Sequence, residues 1–352
     1  MISGALLPVE QTPEDEMTDV GVKVNNGSDS IILKAYAKIN LSLEVIGRRD
    51  DGYHNIRSLM QGIGLYDVIK ITKCPQNGTK YNFPNCTIDD VVVYLCTDAK
   101  TIPADMSNLA FRGIKAVLDK VSADPVRMQG RAIPSELTVE LDKRLPVAAG
   151  IAGGSGNAAA CMLGLNQLLG SPFSLRELME CGARVGADVP FSLLMNAKRN
   201  AGALAGLEGL GEASTAAWIS GIGDIVVPAE PIRRRIIMAN PGISVSTRDA
   251  YEAIDAIHEA SGHAASDLID PAPLFVNDLE DYTLNSYPEA ANLRAFMKEN
   301  LNADTVLMSG SGPTMIAYYQ EHSEADSDFA YMKERAEKEW RIWLTETGSD
   351  EA

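Results

Sequence analysis

Apolar and polar positions alternate along ILKAYAKINLSLEVIG, where Ala37, Ile39, Leu41, Leu43 and Val45 interleave with Tyr36, Lys38, Asn40, Ser42 and Glu44. A period of two predicts a β-strand with the aliphatic set in the core and Lys38 and Asn40 together on the other face. The same alternation returns at Leu137, Val139 and Leu141, between Glu136, Thr138, Glu140 and Asp142. Shorter apolar runs predict strands at Val68–Ile71, Val91–Leu95, Ile236–Ala239, Val306–Met308 and Met315–Tyr319. Helical spacing takes over after Ser107, a candidate N-cap, with Leu109, Ile114, Val117, Leu118 and Val121. Ser174-Leu-Arg-Glu177 has the form of a capping box, and Ser246 or Thr247 opens a further helix. FAYMKERAEKEWRIWL reads as an amphipathic helix that packs through Phe329, Met332, Ala336, Trp340 and Trp343.

At 352 residues the chain can bury a large core and divide in two. Residues 1–30 are acidic and aperiodic, which predicts disorder. The expected domains are 31–198 and 199–352, with the Gly/Ala-rich stretch 200–214 as the passage between them. A net charge of -17 argues against a nucleic-acid surface. No apolar run approaches the roughly 20 residues that span a bilayer, and the N-terminus lacks a basic, then apolar, leader. The expectation is a cytoplasmic protein without membrane partners, monomeric or homodimeric. The five cysteines are odd in number and lack C-x-x-C spacing, so reduced thiols are expected in place of a disulfide framework or a zinc site.

Candidate chemistry gathers around KRLPVAAGIAGGSGNAA, where a strand, a Gly-rich loop and an Ala/Leu-rich helix follow one another. Without Cβ atoms, backbone N–H groups can crowd round an anion, and the helix N-terminus adds partial positive charge. The stretch matches neither G-x-x-x-x-G-K-[ST] nor G-x-G-x-x-G, so it reads as a phosphate cradle of another kind or as a linker or helix packed through small residues. Lys38 and Asn40 form a donor pair suited to phosphate or hydroxyl oxygens, or else an ordinary solvated face. Tyr53 and His54 follow an Asp51-Gly52 turn, where they either stack on and bond a ring or decorate a surface turn. Asp188, between Gly186-Ala187 and Val189-Pro190, sits in a rigid apolar turn, and a buried carboxylate there needs a partner such as Lys38.

In order along the chain, AYAKINLSLEVIGRRDDGYH, SNLAFRG, KRLPVAAGIAGGSGNAA, VGADVPF, NPGISVST, NDLE and SGSGPT resemble the blocks of the GHMP kinase superfamily. The resemblance runs from about Ala35 to Tyr318. It implies an α+β fold of two domains with the active site in the cleft between them, and ATP with Mg²⁺ as phosphoryl source. It implies Lys38 and Asp188 as the catalytic pair. Asn108, Lys143, Pro146, Gly150, Gly153, Gly154, Ser155 and Asn157 would lie toward ATP. The DGYH ending points to the branch acting on a cytidyl diphosphate alcohol in non-mevalonate isoprenoid synthesis, with Asn40, Tyr53, His54, Thr247 and Tyr251 toward that substrate; residues for the metal stay unassigned. Superfamily members acting on homoserine, mevalonate or a sugar, and a non-catalytic ligand-binding member, are the alternatives. The chain departs from the common GGGLGGGSSNA loop, with Ala148, Ala149 and Ala152 in place of glycines and Gly156 in place of a serine.

Overall fold

The computed structural model describes residues 29–73, 85–88, 90–100, 102–147, 149–261 and 273–348. The acidic residues 1–28, Cys74 and Ala148 lie outside them. Strands β1 (Ser30–Arg48) and β2 (His54–Lys73) form a long antiparallel hairpin. There follow β3 (Asn85–Ile88), β4 (Val91–Cys96), α1 (Leu109–Ala123), β5 (Glu136–Asp142), α2 (Gly153–Leu168), α3 (Leu175–Gly182) and α4 (Val189–Arg199). Next come β6 (Ala216–Ser220), β7 (Ile225–Pro228), β8 (Arg234–Asn240), α5 (Thr247–Ser261), β9 (Val276–Asn277), α6 (Glu280–Ser286) and α7 (Pro288–Asn300). The described chain ends with β10 (Thr305–Met308), β11 (Met315–Tyr319), α8 (His322–Arg335) and β12 (Arg341–Thr347).

Two sheet regions meet at one place. Strands β10-β11-β8-β12 run antiparallel, and β12 passes to β2 through the pair Thr347↔Ile63. From β2 the order continues β5-β4-β3, while β1 and β6 pair other stretches of β2. One core sits under α1–α4, with Leu33, Ile71, Phe111, Leu163 and Phe191 fully buried. A second lies against β8, β10 and β11 and includes Ile237, Leu293, Met297 and Met332. A third cluster joins them through Ile39, Leu41, Ile63, Leu145, Ile151, Ile236 and Ile316. Apolar burial at about 25 cal/mol per Å² makes this bridging cluster the reason that the two halves keep a defined relation.

Several expectations need correction. Lys38 and Asn40 are buried, at 4% and 1% exposure, because β1 is covered on both faces. The cap of α1 is Asn108, whose side chain accepts from the amide of Ala110, whereas Ser107 bonds Asp105. Residues 200–214, expected as the passage between domains, bury Ala203, Leu204, Leu207 and Ala213 in the first core, and β6 and β7 beyond them pair with β2 or with each other. The last apolar segment is a helix only to Arg335. In β12, Ile342 and Leu344 pack on the second core while Trp343 packs on the bridging cluster. That is the alternation of a strand. The capping box at Ser174 and Glu177 is present in both its bonds.

Candidate active site

Between the two halves opens a cleft of about 890 Å³, and every site residue expected from the sequence lines it. Its floor is β1. Register shifts between Tyr36 and Lys38, and again between Asn40 and Ser42, break the regular pairing with β2. Bulges of this kind re-aim side chains out of the plain alternation. Lys38 Nζ donates to Asn40 Oδ1 at 2.9 Å and stands 3.2 Å from Asp188 Oδ1. Asn40 in turn donates to Ser58 Oγ at 2.8 Å, which donates to the Ser42 carbonyl. The amide is thereby oriented with its oxygen toward the ammonium. Asp188 caps α4 by position without a side-chain capping bond, and its side chain is one-third exposed. Its carboxylate is held by one cation near the positive end of a helix and still reaches the cleft.

The Gly-rich loop forms the next wall. Gly150 and Ala152 both have positive φ, at 73° and 55°, and the Lys38 amide donates to the Ile151 carbonyl at 3.1 Å. The first intrahelical bond of this end runs from the Gly156 amide to the Ala152 carbonyl, so the amides of Gly153, Gly154 and Ser155 precede any helical acceptor. Those free donors at a helix N-terminus suit an anion. Asn157 Oδ1 is buried without a hydrogen-bond partner. Gly156 has a packing role, since a Cβ there would lie 2.7 Å from the Tyr36 carbonyl oxygen. The glycine at this departure lets α2 press against β1. At Gly150 a Cβ would meet the Ser309 carbonyl oxygen at 2.4 Å, and Ser309 Oγ donates to the Gly150 carbonyl. The Ser309–Thr314 turn, which joins β10 to β11, thus buttresses the loop from the other half.

Two of the residues expected near the nucleotide are also structural. Lys143 Nζ donates to the buried Asp67 at 2.7 Å, and the other Asp67 oxygen accepts from the amides of Arg144 and Leu145. Asn108 donates to the Pro103 carbonyl while capping α1. Asp67 was not singled out by the sequence, because nothing local marks a carboxylate in a strand as the anchor of a distant loop.

The opposite wall separates Tyr53 from His54. Tyr53 is 63% exposed, whereas His54 stacks on Tyr251 with ring centroids 4.8 Å apart. His54 Nε2 lies 2.7 Å from Asp255 Oδ1, and Arg48 approaches the other oxygen at 3.4 Å. Burial pushes the Tyr251 hydroxyl up to about 12, and the Asp188 carboxylate adds to the shift, so the phenol stays protonated. Thr247 Oγ1 and Ser311 Oγ share a hydrogen bond at 2.8 Å, which ties the start of α5 to the Gly-Ser turn. Asp255 is missing from the sequence reading, although Thr247, Tyr251 and Asp255 follow at four-residue spacing on one helix face.

The cleft therefore joins an anion cradle, a cation–carboxylate pair and an aromatic wall. The profile described as "GHMP kinases N terminal domain" matches residues 108–196, and "GHMP kinases C terminal" matches 246–338. The chain belongs to the GHMP kinases. As such it is an enzyme that transfers a phosphoryl group from ATP. Among relatives of this GHMP kinase, a 4-diphosphocytidyl-2-C-methyl-D-erythritol kinase of Caldicellulosiruptor saccharolyticus is 33% identical over 84% of this chain and 90% of its own length. One of the same name from Alkaliphilus oremlandii is 34% identical over 86% and 92%. A crystal structure of a 4-(cytidine 5'-diphospho)-2C-methyl-D-erythritol kinase superposes with a TM-score of 0.62 at 25% identity, covering 91% of this chain and all of that one. Among the described residues no helix is long and apolar enough to cross a membrane.

Proposed function

We propose that this GHMP kinase phosphorylates the 2-hydroxyl of 4-diphosphocytidyl-2-C-methyl-D-erythritol, in the cytoplasm, as a step of non-mevalonate isoprenoid precursor synthesis. The observation that carries the reading is the Lys38–Asp188 pair, 3.2 Å apart in the same cleft as the α2 amides and the His54–Tyr251 wall. Phosphoryl transfer asks a protein for positioning and charge stabilisation more than for covalent chemistry.

The amides of Gly153, Gly154 and Ser155 hold the ATP phosphates, and Gly150 keeps the turn before them tight. Asp188 accepts the proton of the acceptor hydroxyl as its oxygen bonds the γ-phosphorus and the bond to the bridging oxygen of ADP breaks. Lys38, 3.2 Å from Asp188, holds that carboxylate in place and stabilises charge on the transferring group. Tyr53 and Tyr251 present aromatic surface to the base, while His54 reads its edge.

For Mg²⁺ the described residues hold no cluster of three or more metal-binding His, Cys, Asp or Glu side chains. That fits an ion which keeps several waters and binds one or two protein oxygens beside substrate phosphates. Ser155, at the first turn of α2 beside the phosphate-facing amides, is the oxygen donor that would hold it. When bound, Mg²⁺ neutralises phosphate charge. Phosphorus NMR of a reaction with ATP and the cytidyl diphosphate alcohol tests the proposal: ADP and a new phosphomonoester should appear together. Free phosphate alone, or unchanged ATP, would contradict it.

A further inference from the structure

We propose that Asp255 is a positioning residue that sets pyrimidine choice, by fixing which nitrogen of His54 carries the proton. The inference rests on the reading of the acceptor as a cytidyl compound. Both side chains are largely buried, His54 at 11% and Asp255 at 16% exposure, and both line the cleft. An ionised carboxylate only accepts hydrogen bonds. With Asp255 Oδ1 at 2.7 Å, Nε2 is the nitrogen that donates, and in the Nε2–H tautomer Nδ1 is left as an acceptor. The geometry is braced on two further sides. Tyr251, one helical turn before Asp255, covers one face of the imidazole at an interplanar angle of 26°. Arg48 holds the second Asp255 oxygen at 3.4 Å.

The consequence is chemical selection at one position of the base. Cytosine carries an amino group, a donor, where uracil carries a carbonyl, an acceptor. An imidazole Nδ1 that only accepts pairs with the first and faces the second acceptor to acceptor. Tyr53 and Tyr251 contribute surface that either base accepts, so they cannot make this distinction. A site built to satisfy a polar edge penalises the analogue that leaves it unpaired.

The test is Asp255→Asn, which keeps the shape but can turn an amide N–H toward Nε2 and so drive the proton to Nδ1. The wild type, Asp255→Asn and Asp255→Glu are compared by kcat/KM for the cytidyl and uridyl diphosphate alcohols. The cytidyl preference should fall about tenfold or more in Asp255→Asn, and Asp255→Glu should restore part of it. Nitrogen-15 NMR of the imidazoles gives a readout independent of turnover, since the chain has only four histidines. It should show the Nε2–H tautomer at His54 in wild type and the Nδ1–H form in Asp255→Asn. An unchanged preference in a folded Asp255→Asn, or an Nδ1–H tautomer in wild type, would overturn the inference. Equal use of cytidyl and base-free acceptors by the wild type would instead remove the cytidyl reading itself, and the tautomer measurement would still judge Asp255.

Discussion

A lysine at 4% exposure needs partners for its charge, and Lys38 has two, Asn40 Oδ1 and Asp188. Losing one partner of such a pair leaves a charge without its counter-ion. Asp188→Asn keeps the shape and removes the basicity, so kcat should fall by roughly 10²–10⁴-fold. Adding Lys38→Ala to that variant should cost much less than Lys38→Ala costs alone, because the two act as one unit. Steady-state kinetics of the four proteins checks this; additive losses would mean that the residues act separately. At this scale the sequence was legible where a side chain sits in a short distinctive string, as Lys38 does in AKIN and Asp188 in GADVP. It was silent where meaning comes from a distant contact. Asp67 anchors a loop more than seventy positions away, and Asp255 meets a histidine from the other half of the chain.

Among the elements, the junction of β1 and α2 carries the site, and its two unusual residues have opposite effects. Gly156 lies inside a helix, where alanine normally adds about 1 kcal/mol of stability. Here the Tyr36 carbonyl oxygen would stand 2.7 Å from the new Cβ. Overpacking of that kind costs about 1–3 kcal/mol, so Gly156→Ala should lower the urea midpoint. Ala152 holds φ of 55° at the N-cap, a conformation that costs a residue with a Cβ about 1–2 kcal/mol. Ala152→Gly should therefore raise the midpoint. A Gly156→Ala protein more stable than wild type would show that helix propensity, and not the contact with β1, governs the position. Element types were readable where periodicity was clean, as in α1 and β5, whereas α2, buried on nearly every side, was marked only by its Ala- and Leu-rich composition. They failed where one apolar run served two elements: α8 ends at Arg335, and the tryptophans beyond it belong to the approach to β12 and to β12 itself. Spacing alone did not reveal that the phase changes from 3.6 to 2 within that run.

Across the whole molecule, the bridging cluster of Ile39, Leu41, Leu145, Ile151, Ile236 and Ile316 seats the Gly-rich loop against the second half. The Ser309–Thr314 turn reaches the same loop from there, and α5 closes the aromatic wall. That the two halves share one cleft was legible only through the family resemblance carried by the ordered blocks, which implied an active site between two domains. The course of the chain between them was less visible: β6 follows the glycine-rich stretch yet pairs with β2 through Gln61↔Ala216. Long-range strand pairing of this kind is set by tertiary packing and leaves little mark on local composition. Selection of a cytidyl diphosphate alcohol as phosphoryl acceptor is the property of the cleft on which the proposed function rests. Its most direct measurement is kcat/KM for ATP-dependent phosphorylation of 4-diphosphocytidyl-2-C-methyl-D-erythritol, its uridyl counterpart, the base-free methylerythritol phosphate, homoserine and mevalonate. The cytidyl compound should exceed the uridyl form by about tenfold or more and the base-free acceptors by a wider margin. Equal rates for cytidyl and base-free acceptors, or faster turnover of homoserine or mevalonate, would contradict it.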